Sequence, residues 1–242
     1  DGDGWEDLIV GSGRGGELAV FRNEAGKKFT RIAATSAIGP ALGDQTTVLG
    51  WTPAPGTNAL LIGVSNYEGA GPGQPSVQRF DVRAGQFLAG NGIAGQSGSI
   101  GPLAMADIDG DGDLDLFVGG RAVPGHYPKA PVSRLFLHES GRFKLDWENS
   151  RRLAEIGMVS GAVFSDFDGD GEADLVLACE WGPVRVFRNE RWTFREITSD
   201  LGLDQHRGWW NGVATGDFDG DGHLDIVATN WGRNTKYERH RA

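Results

Sequence analysis

Cysteine occurs once in the 242 residues, at Cys179, so no disulfide can form within the chain. It stands in the strand-like run 174–179, where a buried and inert thiol is expected. No apolar run has the length needed to cross a membrane as a helix. Nor does any long stretch keep apolar residues at helical spacing, which leaves strands as the main element. Positive charge is short as well: 23 Lys and Arg stand against 33 Asp and Glu, a formal charge of −10 that argues against a nucleic-acid partner. Catalytic signatures are missing too. There is no G-x-S-x-G, and the five histidines (His126, His138, His206, His223, His240) show no H-x-x-x-H spacing. Residues 11–16 match G-x-G-x-x-G after a strand, but another strand follows where a dinucleotide site needs a helix. The sequence opens inside a motif, without an initiator Met or signal peptide, and is expected to be a fragment of a larger protein.

Glycine is what the chain has in excess, 39 residues with no collagen-like period, as suits many tight turns between short strands. Its acidity is concentrated. DIDGDGDLD spans residues 107–115, DFDGDGEAD 166–174 and DFDGDGHLD 217–225, each followed by a short apolar strand. A truncated copy opens the chain through Asp1, Asp3 and Asp7. Fourteen of the 33 acidic residues lie in the three complete copies, and three bound divalent cations would move the net charge from −10 to −4. The acidity therefore belongs to ion sites rather than to a general acidic face.

Successive first loop aspartates are 59 and 51 residues apart, and a worn copy is found midway between the opening copy and Asp107. There the carboxylates have become Trp51, Pro53, Pro55 and Ala59, so that copy cannot hold a cation through its loop. Each period reads as four short strands. An apolar strand enters the loop (103–106, 162–165, 212–215) and a nearly all-apolar strand leaves it. The third alternates apolar and polar residues (18–22, 134–138, 184–188), and a polar turn leads to the fourth (28–32, 142–145, 192–197). Four strands per period of this length predict an all-β chain, a β-propeller of four-stranded blades, present here as an incomplete ring of about four to five. The blades are placed at about 1–43 (partial), 44–100 (worn loop), 101–158, 159–210 and 211–242 (partial), in one propeller region.

Carboxylates at alternate positions of a tight loop converge on a hard cation, and calcium accepts about six to eight oxygen ligands in flexible geometry. The side-chain ligands expected are Asp107, Asp109, Asp111 and Asp115, with the carbonyl of Asp113. The second set is Asp166, Asp168, Asp170 and Asp174 with the carbonyl of Glu172. The third is Asp217, Asp219, Asp221 and Asp225 with that of His223. Glycine at loop position 6 (Gly112, Gly171, Gly222) permits a turn that a Cβ resists. An EF-hand would need a bidentate Glu at position 12, where Val118, Leu177 and Ala228 stand inside strands, so it is excluded. Magnesium fits less well because it demands a stricter octahedron and holds its waters. About three complete calcium sites and one truncated site are expected.

DFDGDGxxDLxV recurring after a strand resembles the FG-GAP or VCBS repeat, whose blades are similar to those of the integrin α-subunit propeller. The wording of residues 119–125 with Tyr127 and Pro128, of 208–213 and of 230–236 is closer to the cartilage-acidic-protein and ASPIC/UnbV group of exported proteins. The resemblance implies a seven-bladed ring and an extracellular, cell-surface or periplasmic location. The worn loop and the lack of a C-terminal ASPIC/UnbV segment depart from the pattern.

In a four-stranded blade the calcium loops lie at one end. The connections at the other end would carry Arg121, His126, Tyr127, Lys129, Trp181, His206, Arg207, Trp209, Trp210, Trp231 and Arg233. Aromatic rings beside arginine suit sugar stacking or a protein hot spot. Equally, Trp209 and Trp210 could wedge between blades while arginines cap carbonyls. The chain is expected to be a non-catalytic, calcium-binding module for a protein or glycan ligand. The alternatives are a lyase or glycosidase working on the second face, and a scaffold for a C-terminal domain.

Overall fold

The computed structural model describes residues 3–32, 38–54, 56–68, 74–83 and 85–232. The chain divides into two compact units, Asp1–Ile100 and Gly101–Ala242. In the first unit, β1 (Leu8–Val10), β2 (Ala19–Asn23) and β3 (Phe29–Ile32) form one antiparallel sheet in chain order. A second sheet follows as β4 (Gln45–Ala54), β5 (Thr57–Val64), β6 (Val77–Arg83) and β7 (Gln86–Ala89). Leu18, Val20, Leu60, Ile62, Phe80 and Phe87 close the core of this unit.

The worn copy keeps an irregular stretch, as its sequence suggests, but within a strand: β4 continues to Ala54 with a register shift between Trp51 and Ala54, Ala54 pairs with Thr57 at the head of β5, and Gly56 takes φ 76°. Pro55 lies outside the described residues. With no carboxylates to wrap around an ion, the two strands simply meet in a hairpin. The replacements have become structural: Ala59 is fully buried, and Trp51 lies under the Arg79 guanidinium at 5.3 Å.

The second unit begins with β8 (Ser99–Ala106), β9 (Asp115–Ala122), β10 (Arg134–Glu139) and β11 (Arg142–Leu145), again an antiparallel sheet in chain order. A short helix, α1 (Trp147–Arg152), is capped by Asp146 and has no counterpart in the sequence reading. The next repeat contributes β12 (Met158–Ser165), β13 (Asp174–Gly182), β14 (Arg185–Asn189) and β15 (Phe194–Glu196). Last come β16 (Gly208–Gly216) and β17 (Asp225–Asn230). The C-terminal end of β13 also pairs with the start of β16, Glu180 opposite Trp209, so these last two repeats share hydrogen bonds. Successive antiparallel sheets whose strands follow one another in chain order, the last two repeats joined through β13 and β16, fit a β-propeller-like fold.

The first strand of each repeat is about twice as long as the apolar pattern implies, and glycine is the reason. Gly101, Gly161 and Gly212 interrupt the hydrophobic run, so the readable part of each strand starts after Gly101 and Gly161, and at Gly212. In space the same residues are where strands crowd. A Cβ on Gly101 would meet Val159 O at 2.8 Å, and one on Gly161 would meet Gly212 Cα at 2.9 Å. A Cβ on Gly212 itself would meet only Thr229 Oγ1, at 3.5 Å, so the crowding is felt at Gly101 and Gly161. Buried asparagines tie the sheets together: Asn189 Nδ2 donates to Ile108 O, while Asn149 Nδ2 donates to Trp192 O and its Oδ1 accepts from Phe194 N. Beneath them lies a core of Ile108, Phe117, Leu135, Leu153, Leu175, Leu177, Phe187 and Phe194. Cys179 belongs to it; burial pushes its thiol up to about 12, which leaves it inert as expected.

Gly161→Ala is therefore expected to destabilise the chain by about 1–3 kcal/mol, since a methyl group must push two backbones apart. The midpoint of denaturant unfolding measures this, and an unshifted midpoint would contradict the close approach.

Candidate functional site

Each acidic loop is a cage of its own backbone N–H groups. At position 1, Asp107 accepts from Gly110 N at 2.8 Å and Gly112 N at 2.9 Å. Asp217 does the same with Gly220 N at 2.7 Å and Gly222 N at 3.0 Å. Asp166 accepts from Gly171 N at 3.0 Å through Oδ2, while its Oδ1 is buried without a hydrogen-bond partner. The glycines at position 6 sit at φ 91°, 91° and 88°, a region closed to residues with a Cβ except at a cost, so the motif's spacing follows from backbone sterics. Position 3 holds position 5 through Asp109 to Asp111 N, Asp168 to Asp170 N and Asp219 to Asp221 N. Position 5 holds position 7 through Asp111 to Asp113 N, Asp170 to Glu172 N and Asp221 to His223 N.

Position 9 ties the loop to the sheet. Asp115 Oδ2 accepts from Ile108 N at 3.0 Å and its Oδ1 from His138 N on β10 at 2.8 Å. Asp174 repeats this with Phe167 N at 3.1 Å and Asn189 N on β14 at 2.8 Å. Asp225 accepts from Phe218 N at 3.0 Å. In the truncated copy, Asp7 accepts from Asn23 N on β2 and Asp3 from Trp5 N, each at 2.9 Å; Asp1 lies outside the described residues.

The carboxylates of positions 1, 3 and 9 converge. Asp107, Asp109 and Asp115 offer oxygens within 4.8 Å of one another, as do Asp166, Asp168 and Asp174, and Asp217, Asp219 and Asp225. The position 5 aspartates are not part of these close groups. Burial, then the neighbouring carboxylates, push Asp115 up to about 6 despite its two N–H donors. Burial raises Asp109 and Asp174 in the same direction. Three acids forced together, with a buried oxygen of Asp166 left unpaired, form an oxygen donor set suited to a hard divalent cation. The second loop also contains a competing cation: Arg188 Nε lies 2.7 Å from Asp168 Oδ2. In the first loop Leu137 stands at the position of Arg188, and the buried His138, one residue on, has its Nδ1 3.6 Å from Asp113 Oδ2.

Antiparallel pairing puts the β9–β10, β13–β14 and β15–β16 connections at the end opposite these loops. Several of the aromatic and basic residues expected there are in direct contact. Arg121 Nη1 and the Tyr127 hydroxyl (2.5 Å) both donate to the carboxylate of Glu180, and Trp181 Nε1 donates to Tyr127 Oη. Trp181 contacts Trp209 at 5.0 Å between centroids, and Trp209 stacks on Trp231 at 5.2 Å and 16°. Arg121, Trp181, Trp209 and Trp210 belong to strands rather than to the connections themselves, because β9, β13 and β16 extend further than their apolar runs. Trp210 packs beside the buried Val176, Val184, Val186 and Ile197, and its Nε1 donates to His206 O. His126 closes an exposed turn with Lys129, and Arg207 Nε donates to Asp204 O. Arg233 lies outside the described residues.

A cavity of about 510 Å³ opens beside this network, lined in part by Glu155, Glu180, Trp181, Asp204 and Arg207. Glu180 was missed from sequence, although its signal was present. It is a lone carboxylate directly after the apolar run 175–179, and it is buried at 4% exposure. Trp181 takes φ 62°, an uncommon conformation for a bulky residue.

Asp115 sets a pH dependence for the chelated protein. Its acid form is favoured in the fold (about 6) over the ordinary 3.8, so between these values the folded chain holds a proton that the unfolded chain releases. Stability contributed at this position should fall as pH rises from about 4 to 6, then level off. Asp115→Asn should lack that component. Unfolding in chelator across this range measures it, with the wild-type deficit relative to the variant growing as pH rises.

No curated protein matches the chain. Among solved structures, a crystal structure of BBS1N in complex with ARL6DN, soaked with mercury, is similar at 12% identity and a TM-score of 0.47. The match covers 93% of this chain and 53% of that one, so the chain spans about half its length. Residues 166–228, from the first aspartate of the second loop to β17, match the model of the FG-GAP-like repeat, and this match supports the FG-GAP family for the chain.

Proposed function

We propose that this chain is a calcium-braced β-propeller module of an exported protein that binds a protein or carbohydrate ligand without chemistry of its own. One observation carries the metal reading: the position 1, 3 and 9 carboxylates converge to within 4.8 Å in all three complete loops. A single acidic cluster would mean little. Three in register, each shaped by positive-φ glycines, point to one hard oxygen-binding ion per loop. The residues that would hold calcium are the aspartates of positions 1, 3, 5 and 9, with the carbonyls of Asp113, Glu172 and His223. The ion would supply the positive charge that the crowded carboxylates lack and fix each loop against the third strand.

The ligand reading rests on the other end, where Glu180, Arg121 and Tyr127 hold Trp181 beside Trp209 and Trp231. Among the described residues no helix is long and apolar enough to cross a membrane. Export is supported by the calcium loops, since extracellular calcium is abundant enough to fill sites of modest affinity. The segments 119–125, 208–213 and 230–236 favour the ASPIC/UnbV group within the wider family.

Calcium at about ten times its dissociation constant stabilises a fold by about 1.4 kcal/mol per site. Chelation should therefore lower the unfolding temperature, and added calcium should restore it. Asp107→Ala should remove one site's share of that shift. An unfolding temperature indifferent to chelator would defeat the metal reading. For the ligand end, Trp209→Ala and Trp231→Ala should abolish binding on a glycan array or in capture of a protein ligand. Turnover of a polysaccharide that is lost in His206→Ala or Arg207→Ala would instead make the chain an enzyme.

A further inference from the structure

We infer that the cavity beside Glu180 and Trp181 is a saccharide site selective for uncharged sugars. This rests on the binding reading above and adds the ligand class. The cavity holds about 510 Å³, within the range of small-ligand sites, and is roughly half polar. Half of its charged side chains are already committed. Glu180 is engaged by Arg121 and Tyr127, and Glu196 by Arg185 at 2.6 Å and by the Thr198 hydroxyl at 2.8 Å. These pairs are wall rather than ligand contacts.

What remains uncommitted decides the class. Among the described residues, the carboxylates of Glu155 and Asp204 and the Ser199 hydroxyl have no partner, and Arg207 uses only Nε, toward Asp204 O. Two acids against one base leave a net negative lining. A uronate or sulfated sugar would bring its own charge against both carboxylates. A ligand carrying only positive charge would meet Arg207. An uncharged polyol suits all three groups, since hydroxyls donate to carboxylates and accept from a guanidinium. Trp181 supplies the apolar wall. The residue is 37% exposed, its Nε1 is anchored on Tyr127 Oη, and the Trp209 ring packs against it, tilted at 48° with centroids 5.0 Å apart. An indole so held presents a fixed face to sugar C–H groups at little entropic cost.

The test uses the full chain in saturating calcium. It would be titrated with uncharged gluco-, galacto- and manno-oligosaccharides, with oligogalacturonates, and with Lys/Arg-rich peptides. An uncharged oligosaccharide should bind, with oligogalacturonates at least tenfold weaker. Glu155→Ala and Asp204→Ala should each weaken the uncharged sugar about tenfold, the cost of one hydrogen bond to a charged group, without moving the unfolding temperature. Asp204→Asn should narrow the gap to galacturonate, and Trp147→Ala, an exposed residue outside the cavity, should change nothing. Equal or tighter galacturonate binding overturns the inference. So does uncharged-sugar binding that ignores both alanine variants, or binding of basic peptides alone; either leaves the broader binding reading standing. That broader reading falls separately if Trp209→Ala and Trp231→Ala spare every ligand found.

Discussion

The buried aspartate at loop position 9 is the constraint on which each repeat depends. Asp115 and Asp174 are almost wholly buried, yet each spends one oxygen on its own loop and the other on the third strand of its sheet. A carboxylate in that position costs desolvation free energy, and two N–H donors offset only part of it, so burial still raises both acids. The remainder is a standing demand for positive charge, and the loop is folded to place two further carboxylates around the same point. One residue thus links strand pairing, loop shape and cation demand.

Much of this was legible because glycine and aspartate carry their reasons locally. A DxDGDG string can be read as positive-φ turns with inward carboxylates before any tertiary contact is known, and the φ values at Gly110, Gly112, Gly169 and Gly171 agree. The third strands were readable from alternation. Strand length was not, because Gly101 and Gly161 answer to the close approach of a neighbouring strand rather than to the pattern of their own. α1 was hidden by its brevity: its place is fixed by Asn149, which bonds across to Trp192 and Phe194 on the next repeat. The site beside Trp181 was half visible. Its aromatic and basic members stood out, but Glu180, which orders two of them, looks in sequence like the first residue past a strand.

The two ends of the second unit's sheets are built on different principles. At the loop end, backbone N–H groups organise closely spaced acids, of which Asp168 also has the Arg188 guanidinium beside it. At the other end the buried acid is satisfied: Glu180 has a guanidinium and a phenol, and the strain of Trp181 at φ 62° is held by the contacts around it. The first arrangement leaves carboxylates crowded together, whereas the second is held in place by its own hydrogen bonds.

The hairpin at residues 51–59 shows which of the two demands the sheet itself imposes. Where Ala59 replaces the position 9 aspartate, the side chain is equally buried, β4 and β5 still pair along their length, and the loop shrinks to a turn. Removing the acid removed the need for the loop. Strand pairing and apolar burial therefore suffice for a sheet of this kind, and the aspartate-rich loop is an addition to the sheet rather than a condition of it.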